Sequence, residues 1–281
     1  MSNTLRVAGR EIQFRRKGFS RTMLQVTPVR AFADNYIWLI HAPRDTRLVV
    51  AVDPGDARPV ERTLAERDLT LAAILVTHHH ADHVGGVADL LQHRRVPVFG
   101  PAGERTPGEP TRLRQGDRVS LAELGLNFDV LDVPGHTSGH IAYVGHGAVF
   151  CGDTMFSAGC GRLFEGTAEQ MVTSLAKLAG LPPETLVYCA HEYTLSNLRF
   201  GLAVEPENVD AAQYLEECTG RRERDEATLP SSIRRERNVN PFLRCDRQTV
   251  KRAAEARAGR GLQSQTEIFA VIRQWKDGFR A

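Results

Sequence analysis

The sequence predicts an α+β protein in which mixed β-sheets are covered by helices and followed by a smaller, all-helical C-terminal domain. Apolar runs with strand character alternate with helical segments early in the chain and then cluster between Val119 and Cys151. Such clustering favours mixed sheets over a uniform parallel fold. Beyond residue 194 the spacing of apolar residues is helical. We therefore divide the chain into a basic N-terminal extension (1–22), a mixed domain (23–193) and a helical domain (194–281).

The composition is that of an ordinary globular protein. The chain has 281 residues, of which 42% are hydrophobic and 25% charged, enough for one large or two modest domains with a substantial core. The formal net charge of +2 demands no polyanionic partner, and no apolar run approaches the roughly 18 residues that cross a membrane. We therefore expect neither a nucleic acid nor a membrane as a partner. The protein is also expected to be a monomer.

The cysteines and the N-terminus bear on location. Five cysteines are scattered without a paired framework, and the start of the chain lacks a secretory signal pattern. We expect reduced thiols in the cytoplasm. Residues 1–22 carry six basic side chains and one acid, Glu11, a balance that would also suit an organelle transit peptide. We expect them to form a disordered extension without a role, which ends just before the candidate start Met23.

Turn-forming residues place the boundaries of the elements before residue 111. Ala33-Asp34-Asn35 separates the first two strands, and Pro54-Gly55 ends the third. The predicted elements are strands at 24–30, 36–41, 48–53, 71–76 and 97–100, helices at 59–67 and 84–91, and a loop at 101–111.

The C-terminal part reads as helices at about 195–204, 207–219, 246–258 and 264–276. Residues 218–238 are rich in arginine and glutamate, which predicts an exposed connection. Asn240-Pro-Phe-Leu-Arg244 then anchors the chain again, with Phe242 and Leu243 predicted to be buried.

The segment 77–86 carries the densest group of metal-binding side chains. It follows the apolar strand 71–76, and its imidazoles and carboxylate belong to His78, His79, His80, Asp82 and His83. These groups are preferred ligands of zinc, iron and manganese. A solvated polar loop would explain one histidine, but further histidines and aspartates follow later strands. A tight turn at the strand end allows His78, His80, Asp82 and His83 to converge on one point.

Three later strands also end in metal-binding residues. Pro134-Gly135 ends one strand and presents His136, Asp153 follows the apolar run 149–151, and His191 follows the run 186–190. His140 opens the next strand, so we interpret it as a structural residue or one that supports a ligand. The remaining histidines lack this setting and are expected at the surface or in turns; they are His41, His93 and His146.

Taken together, these residues resemble the pattern of the metallo-β-lactamase superfamily. The pattern is His78-x-His80-x-Asp82-His83, followed in order by His136, Asp153 and His191. Within that superfamily three stretches are similar to glyoxalase II, the hydroxyacylglutathione hydrolases. They are 152–167, His191-Glu-Tyr-Thr194 and Asn240-Pro-Phe-Leu-Arg244. The resemblance runs from about residue 23 to the C-terminus.

The resemblance implies an αββα sandwich with a dinuclear metal site between its sheets, followed by a helical substrate-binding domain. His78, His80 and His136 match the ligands of the first metal, and Asp82, His83 and His191 those of the second. Asp153 matches the bridging carboxylate, and it is expected with Asp82 to serve catalysis. His79 falls at a variable position and is given no role. The expected cofactors are two divalent ions, zinc first, with iron and manganese as alternatives.

The activity that the resemblance implies is hydrolysis of the thioester of S-D-lactoylglutathione, and of other 2-hydroxyacylglutathiones, to D-lactate and glutathione. This reaction is the second step of methylglyoxal detoxification. A hydroxide held between the two metals attacks the carbonyl, so no protein nucleophile is needed. Two alternative hypotheses remain: an iron-dependent glutathione persulfide dioxygenase of the same superfamily, and a metal-binding protein without catalysis. The C-terminal stretch disfavours the first, and the full ligand set disfavours the second.

Five residues match positions that bind glutathione in the family. Arg162 supplies a cation where many members have lysine, Tyr193 matches a binding tyrosine, and Phe164 stands where some members have tyrosine. Arg273 and Lys276 lie in a segment, 272–277, that resembles the one binding the glycine carboxylate of glutathione. Without the resemblance, we would interpret Arg273 and Lys276 as part of a solvated helix face.

Overall fold

A computed structural model of the chain describes residues 4–7, 10–13 and 24–280. Within the N-terminal ranges, strands β1 (Thr4–Val7) and β2 (Arg10–Gln13) pair antiparallel. The other residues of the expected extension, together with Met23, lie outside the described part. The assignment of 1–22 as a disordered extension without a role therefore stays a prediction.

Two six-stranded sheets form the body of the molecule. The further strands are β3 (Val26–Ala31), β4 (Asn35–Ala42), β5 (Asp45–Val52), β6 (Thr70–Leu75), β7 (Val98–Pro101), β8 (Thr111–Leu113), β9 (Arg118–Leu121), β10 (Leu126–Asp132), β11 (Ile141–Gly145), β12 (Ala148–Gly152), β13 (Met155–Phe156), β14 (Gly159–Cys160), β15 (Leu186–Cys189) and β16 (Ser231–Ser232). The first sheet has the order β3-β4-β5-β6-β7-β8 and the second β16-β15-β12-β11-β10-β9. Both mix parallel and antiparallel pairs, and β13 and β14 form a separate hairpin.

Nine α-helices are found in the described residues. They are α1 (Ala57–Glu66), α2 (Ala81–Val84), α3 (Val87–Leu91), α4 (Ala168–Ala179), α5 (Thr194–Val204), α6 (Val209–Glu223), α7 (Ile233–Val239), α8 (Gln248–Ala258) and α9 (Gln265–Asp277). A short 3₁₀ helix, Pro241–Leu243, joins α7 to α8. No helix of this part is both long enough and apolar enough to cross a membrane.

The sheets pack face to face, with helices on their outer faces. Alternate residues of β4 serve different cores: Ile37 and Leu39 cluster with side chains of α1 and α3, whereas Trp38 and Ile40 cluster with the second sheet. This is the period-two alternation expected of a strand buried on both faces. The Trp38 ring meets that of Tyr188 on β15 edge to face, 5.0 Å between centroids. The predicted sandwich followed by a helical C-terminal region is confirmed.

Four local predictions were wrong. The expected helix 84–91 is divided into α2 and α3 at Gly85 and Gly86, because the nitrogen of Gly86 donates to the carbonyl of Pro54 instead of continuing the helix. Glycine permits this approach, since a Cβ on Gly86 would be 2.4 Å from the nitrogen of Ala57. As a result, Asp82 and His83 lie in a helical turn of their own. His41, expected at the surface, is buried on β4 between Thr27 and the carbonyl of Thr46.

The third error concerns residues 218–238, which are not simply an exposed connection. Helix α6 continues to Glu223, and α7 begins at Ile233. Ile233, Glu236 and Val239 are buried at helical spacing, so the charged residues between them form the solvated face of an amphipathic helix. The 3₁₀ segment that follows anchors the chain through buried Phe242, as expected, but Leu243 is only partly buried.

Candidate metal centre

One edge of the sandwich gathers all seven predicted ligands. His78 and His80 follow β6 of the first sheet, and α2 carries Asp82 and His83. From the second sheet, His136, Asp153 and His191 follow β10, β12 and β15. Both β10 and β12 are antiparallel to β11, and β12 is parallel to β15. These three strands therefore run in one direction and end at the same edge.

The first group consists of His78, His80 and His136, whose ligand atoms lie within 4.8 Å of one another. His136 Nε2 is 3.0 Å from His80 Nδ1. The ring of Phe164 meets His80 and His136 edge to face, at 5.6 and 5.2 Å between centroids. Phe164 is itself 63% exposed, so its ring forms an apolar surface between this group and the solvent.

The second group consists of Asp82, His83 and His191, also within 4.8 Å of one another. Asp82 Oδ2 lies 3.5 Å from His83 Nε2 and 3.4 Å from His191 Nε2. The Tyr193 ring is stacked on that of His191, 4.8 Å between centroids and 8° between planes.

Asp153 stands between the two groups. Its Oδ1 is 3.4 Å from His83 Nε2, while its Oδ2 is 3.4 Å from both His136 Nε2 and His191 Nε2. One carboxylate therefore faces imidazoles of both groups, which is the geometry required of a bridging ligand.

The residues fit a pair of metal ions. His78 Nε2, His83 Nε2 and Asp153 Oδ1 are buried and have no hydrogen-bond partner in the described part of the chain. Unpartnered buried polar atoms are costly, and here they all point into one cluster of nitrogen and oxygen donors. Divalent metal ions would satisfy these atoms, since imidazole and carboxylate are their usual ligands.

A further set of residues orients the predicted ligands, and the sequence analysis gave none of them a part in the site. Asp34 Oδ1 is 2.7 Å from His191 Nδ1, Asn35 donates to Asp82 Oδ2 at 2.9 Å, and Asp53 Oδ2 is 3.1 Å from His83 Nδ1. Asp53 is buried and also accepts from the nitrogen and hydroxyl of Thr77, both at 2.7 Å. Carboxylates in these places fix the tautomer and the direction of a ligating histidine.

Two other histidines lie outside these two groups. The buried His140 accepts from the nitrogen of Asp153 through Nε2, at 3.1 Å, and its Nδ1 is 3.0 Å from the carbonyl of Ile141. It therefore has the expected supporting role. His79 turns the other way: its Nδ1 is 2.9 Å from Glu104 and its Nε2 3.3 Å from Glu165.

Burial and charge set the protonation of the centre. Burial lowers the pKa of His78 and His136, which favours the neutral imidazole that binds metal. For His83, burial acts in the same direction, but the charges of Asp153 and Asp53 outweigh it and raise the pKa. Burial would raise the pKa of Asp153, yet the neighbouring His83 and His191 hold it well below its usual range. Asp153 is thus a carboxylate.

A cleft of about 660 Å³ opens from the two groups toward the C-terminal helices. All five predicted substrate-binding residues line it: Arg162, Phe164, Tyr193, Arg273 and Lys276. Lys276 Nζ donates to the carbonyl and hydroxyl of Ser196, both at 3.0 Å. Arg273 is only 6% exposed, and its guanidinium already donates to the carbonyl of Cys160 and to Asp277, at 2.8 and 3.1 Å.

Comparison with known proteins identifies the same two parts of the chain. Residues 33–191 match the family model of the metallo-β-lactamase superfamily, and residues 192–279 match that of the hydroxyacylglutathione hydrolase C-terminus. The two matches meet at the predicted ligand His191, which lies between the end of β15 and the start of α5.

Named relatives extend the similarity over most of the chain. The hydroxyacylglutathione hydrolase of Pseudomonas paraeruginosa is 55% identical over 262 residues, covering 92% of this chain and 100% of the relative. That of Nitrosomonas eutropha is 50% identical over 258 residues, with the same coverage. Among solved structures, ETHE1 from Myxococcus xanthus is 28% identical with a TM-score of 0.63, covering 90% of this chain and 91% of that one.

Proposed function

The chain belongs to the hydroxyacylglutathione hydrolase family of the metallo-β-lactamase superfamily, and on that premise we propose how it hydrolyses 2-hydroxyacylglutathione thioesters. The substrate is S-D-lactoylglutathione, with related acyl groups accepted, and the products are the 2-hydroxy acid and glutathione. The observation that carries this proposal is that both metal-binding groups open into a cleft lined by cationic side chains of the C-terminal domain.

We propose that the ligands are those of the two observed groups, with Asp153 bridging them. Zinc is the first expectation, with iron and manganese as alternatives, because the same donor set accepts all three. Divalent ions held by these residues would supply a hydroxide nucleophile at neutral pH and would polarise the thioester carbonyl. Asp153 would serve the reaction by joining the two groups, and Asp82 by completing the second group beside His83 and His191.

The protein's own side chains position the substrate and exclude water. Phe164 covers His80 and His136, and Tyr193 covers His191, so the acyl end of the thioester enters between two aromatic rings. At the far end of the cleft, Lys276, Arg162 and Arg273 supply the positive charge that attracts a glutathione carboxylate. Lys276 and Arg162 are the accessible cations, whereas Arg273 acts from beneath the surface.

The proposal also includes the subcellular location and the oligomeric state of the enzyme. All five cysteines are buried and free, which supports a reducing cytoplasm as the location. We propose that the protein acts on its small-molecule substrate as a monomer.

One experiment separates this function from the dioxygenase alternative. Purified protein is assayed without oxygen for release of glutathione from S-D-lactoylglutathione, and with oxygen for its uptake in the presence of glutathione persulfide. We expect thioester cleavage at the same rate with and without oxygen, and no oxygen uptake above that of buffer. Oxygen uptake with the persulfide, without anaerobic thioester cleavage, would assign the chain to the other activity.

A further inference from the structure

A buried glutamate connects the two segments that carry the first metal-binding group. Glu104 lies in the loop between β7 and β8, and its side chain is 2% exposed. Its Oε2 accepts from the backbone nitrogen of His79 at 2.6 Å and lies 2.9 Å from His79 Nδ1. Its Oε1 accepts from the hydroxyl of Thr137 and, at 2.9 Å, from the nitrogen of Gly139.

The two segments come from different sheets. His79 lies between the predicted ligands His78 and His80, which follow β6, whereas Thr137 and Gly139 follow the predicted ligand His136 and precede β11. A carboxylate offers about four acceptor positions on two oxygens. Glu104 gives one oxygen to each segment, so all four contacts set their separation.

We propose that Glu104 is a positioning residue for the first metal-binding group, which it assembles by fixing the His78–His80 segment against the His136–His140 segment. The inference rests on the proposed function, because it takes the two groups to bind metal. Gly139 fits the same role: a Cβ there would come within 2.6 Å of Glu104 Cγ, so glycine permits the approach.

The effect of Glu104 is specific to one group. The second group is oriented by other residues, Asp34, Asn35 and Asp53, which reach it from the first sheet. The hydrogen bonds that Glu104 accepts within the described residues go to neither these residues nor the second group. Loss of its carboxylate should therefore weaken one metal site and spare the other.

Glu104→Gln tests this with little change of shape. The amide nitrogen can only donate, so it would face either the backbone N–H of His79 or the donors of Thr137 and Gly139. The control is Glu236→Gln: Glu236 is equally buried and accepts from Ala158, Ser231 and Asn240, at 2.8, 2.6 and 3.0 Å, away from both segments. This variant measures how much stability is lost when a buried carboxylate far from the two segments is replaced by an amide.

The measurement is the pair of Zn²⁺ dissociation constants, from competition with a chromophoric chelator. We expect Glu104→Gln to raise one constant by about tenfold to a hundredfold, the range typical of residues that orient a metal ligand, and to leave the other within about threefold. Glu236→Gln should lower the melting temperature without this selective loss. In a His80→Ala background, where the first site is already broken, adding Glu104→Gln should leave the remaining constant unchanged.

The inference would be overturned if Glu104→Gln weakened both sites equally or left both dissociation constants unchanged. The proposed function would still stand in that case, provided that the parent protein binds two Zn²⁺ and cleaves the thioester. A parent chain that binds fewer than two Zn²⁺ would overturn the proposed function and this inference together. If Glu104→Gln does not fold, Thr137→Ala removes one of the four contacts and Thr137→Ser keeps it. Selective weakening in the alanine variant, restored in the serine variant, is then the expected result, and identical constants in the two would contradict it.

Discussion

At the scale of single residues, one position along the chain decides which side of the backbone an imidazole occupies. His78 is fully buried, and its ring lies 4.7 Å from that of His80 and 5.0 Å from that of His136, between centroids. His79 faces Glu104 and Glu165 instead. Neighbouring residues of an extended segment point to opposite sides, so only one of the two can serve the centre.

His78→Ala and His79→Ala should therefore behave differently. The first variant should lose metal and most activity, since it removes a buried donor that has no other partner. The second should keep both within about tenfold, equal to about 1.4 kcal/mol of barrier, because alanine retains the backbone N–H bound by Glu104. Metal analysis and thioester turnover measure the two effects. Equal damage from the two substitutions would show that the ligands are wrongly assigned.

Lys276 is a second residue whose environment makes a prediction. Burial, with the nearby charges of Arg273 and Arg162, lowers the pKa of its ammonium to about 8. Below that pH the side chain is cationic and, in the proposed role, would attract a glutathione carboxylate; above it the charge is lost. KM for S-D-lactoylglutathione should therefore rise as the pH increases through about 8.

The matched variant is Lys276→Arg, whose guanidinium keeps its charge throughout this range. Its KM should lack the rise near pH 8, whatever its value at neutral pH. A KM profile that is flat in the parent, or identical in parent and variant, would remove Lys276 from substrate binding.

At the scale of elements, α9 presents both C-terminal cations, but in different surroundings. Arg273 and Lys276 are three residues apart and so share a face of the helix. The guanidinium of Arg273 is also packed 5.0 Å above the ring of Phe242, and it donates to the carbonyl of Cys160 on β14. It therefore joins the helical domain to the catalytic domain besides facing the cleft.

We expect Lys276→Ala to raise KM about tenfold or more, since a partly shielded charge-assisted contact is worth roughly 1.5–3 kcal/mol. Its kcat should change little, because the contact is the same in ground and transition states. Its melting temperature should also change little, because the bonds of Lys276 to Ser196 are exposed to water. Arg273→Ala should raise KM and also lower the melting temperature, since it leaves the carbonyl of Cys160 without its donor. Unchanged KM in both variants would mean that α9 does not bind the substrate.

The accuracy with which the sequence predicts strands and helices depends on how clearly local residues mark their ends or their buried faces. Strands bounded by turn residues, such as β4 and β6, were placed to within a residue or two. Helix α4 was overlooked although Thr167 and Gln170 form a capping box at its start, a local signal that could have revealed it. Helix α7 was mistaken for a loop because charge dominates its composition, and its buried face has only a few residues.

At the scale of the whole molecule, the centre exists because strands of two sheets end at one edge. Ligand spacing within a segment is visible in the sequence, so the His78–His83 motif and the later His and Asp residues could be identified there. The residues that orient them could not, since Asp34 and His191 are 157 positions apart. Asp53 left a partial signal: it directly follows β5, which is parallel to β6, so its carboxylate lies beside Thr77.

The N-terminal segment provides a prediction at the same scale. Residues 1–22 are basic and show little periodic apolar pattern, so we expect the fold and the site to form without them. A chain that begins at Met23 should match the full chain in melting temperature and kcat/KM. A clear loss of either quantity would show that the segment packs on the domain or serves the cleft.

The most direct test of the central claim is thioester hydrolysis before and after removal of metal from the full chain. Metal content and the rate of S-D-lactoylglutathione cleavage are measured together, first after exhaustive chelation and then after Zn²⁺ or Mn²⁺ is returned. We predict that cleavage disappears with the metal and returns with it, approaching full rate as the content nears two ions per chain. Full activity in protein shown to be free of metal would contradict the account.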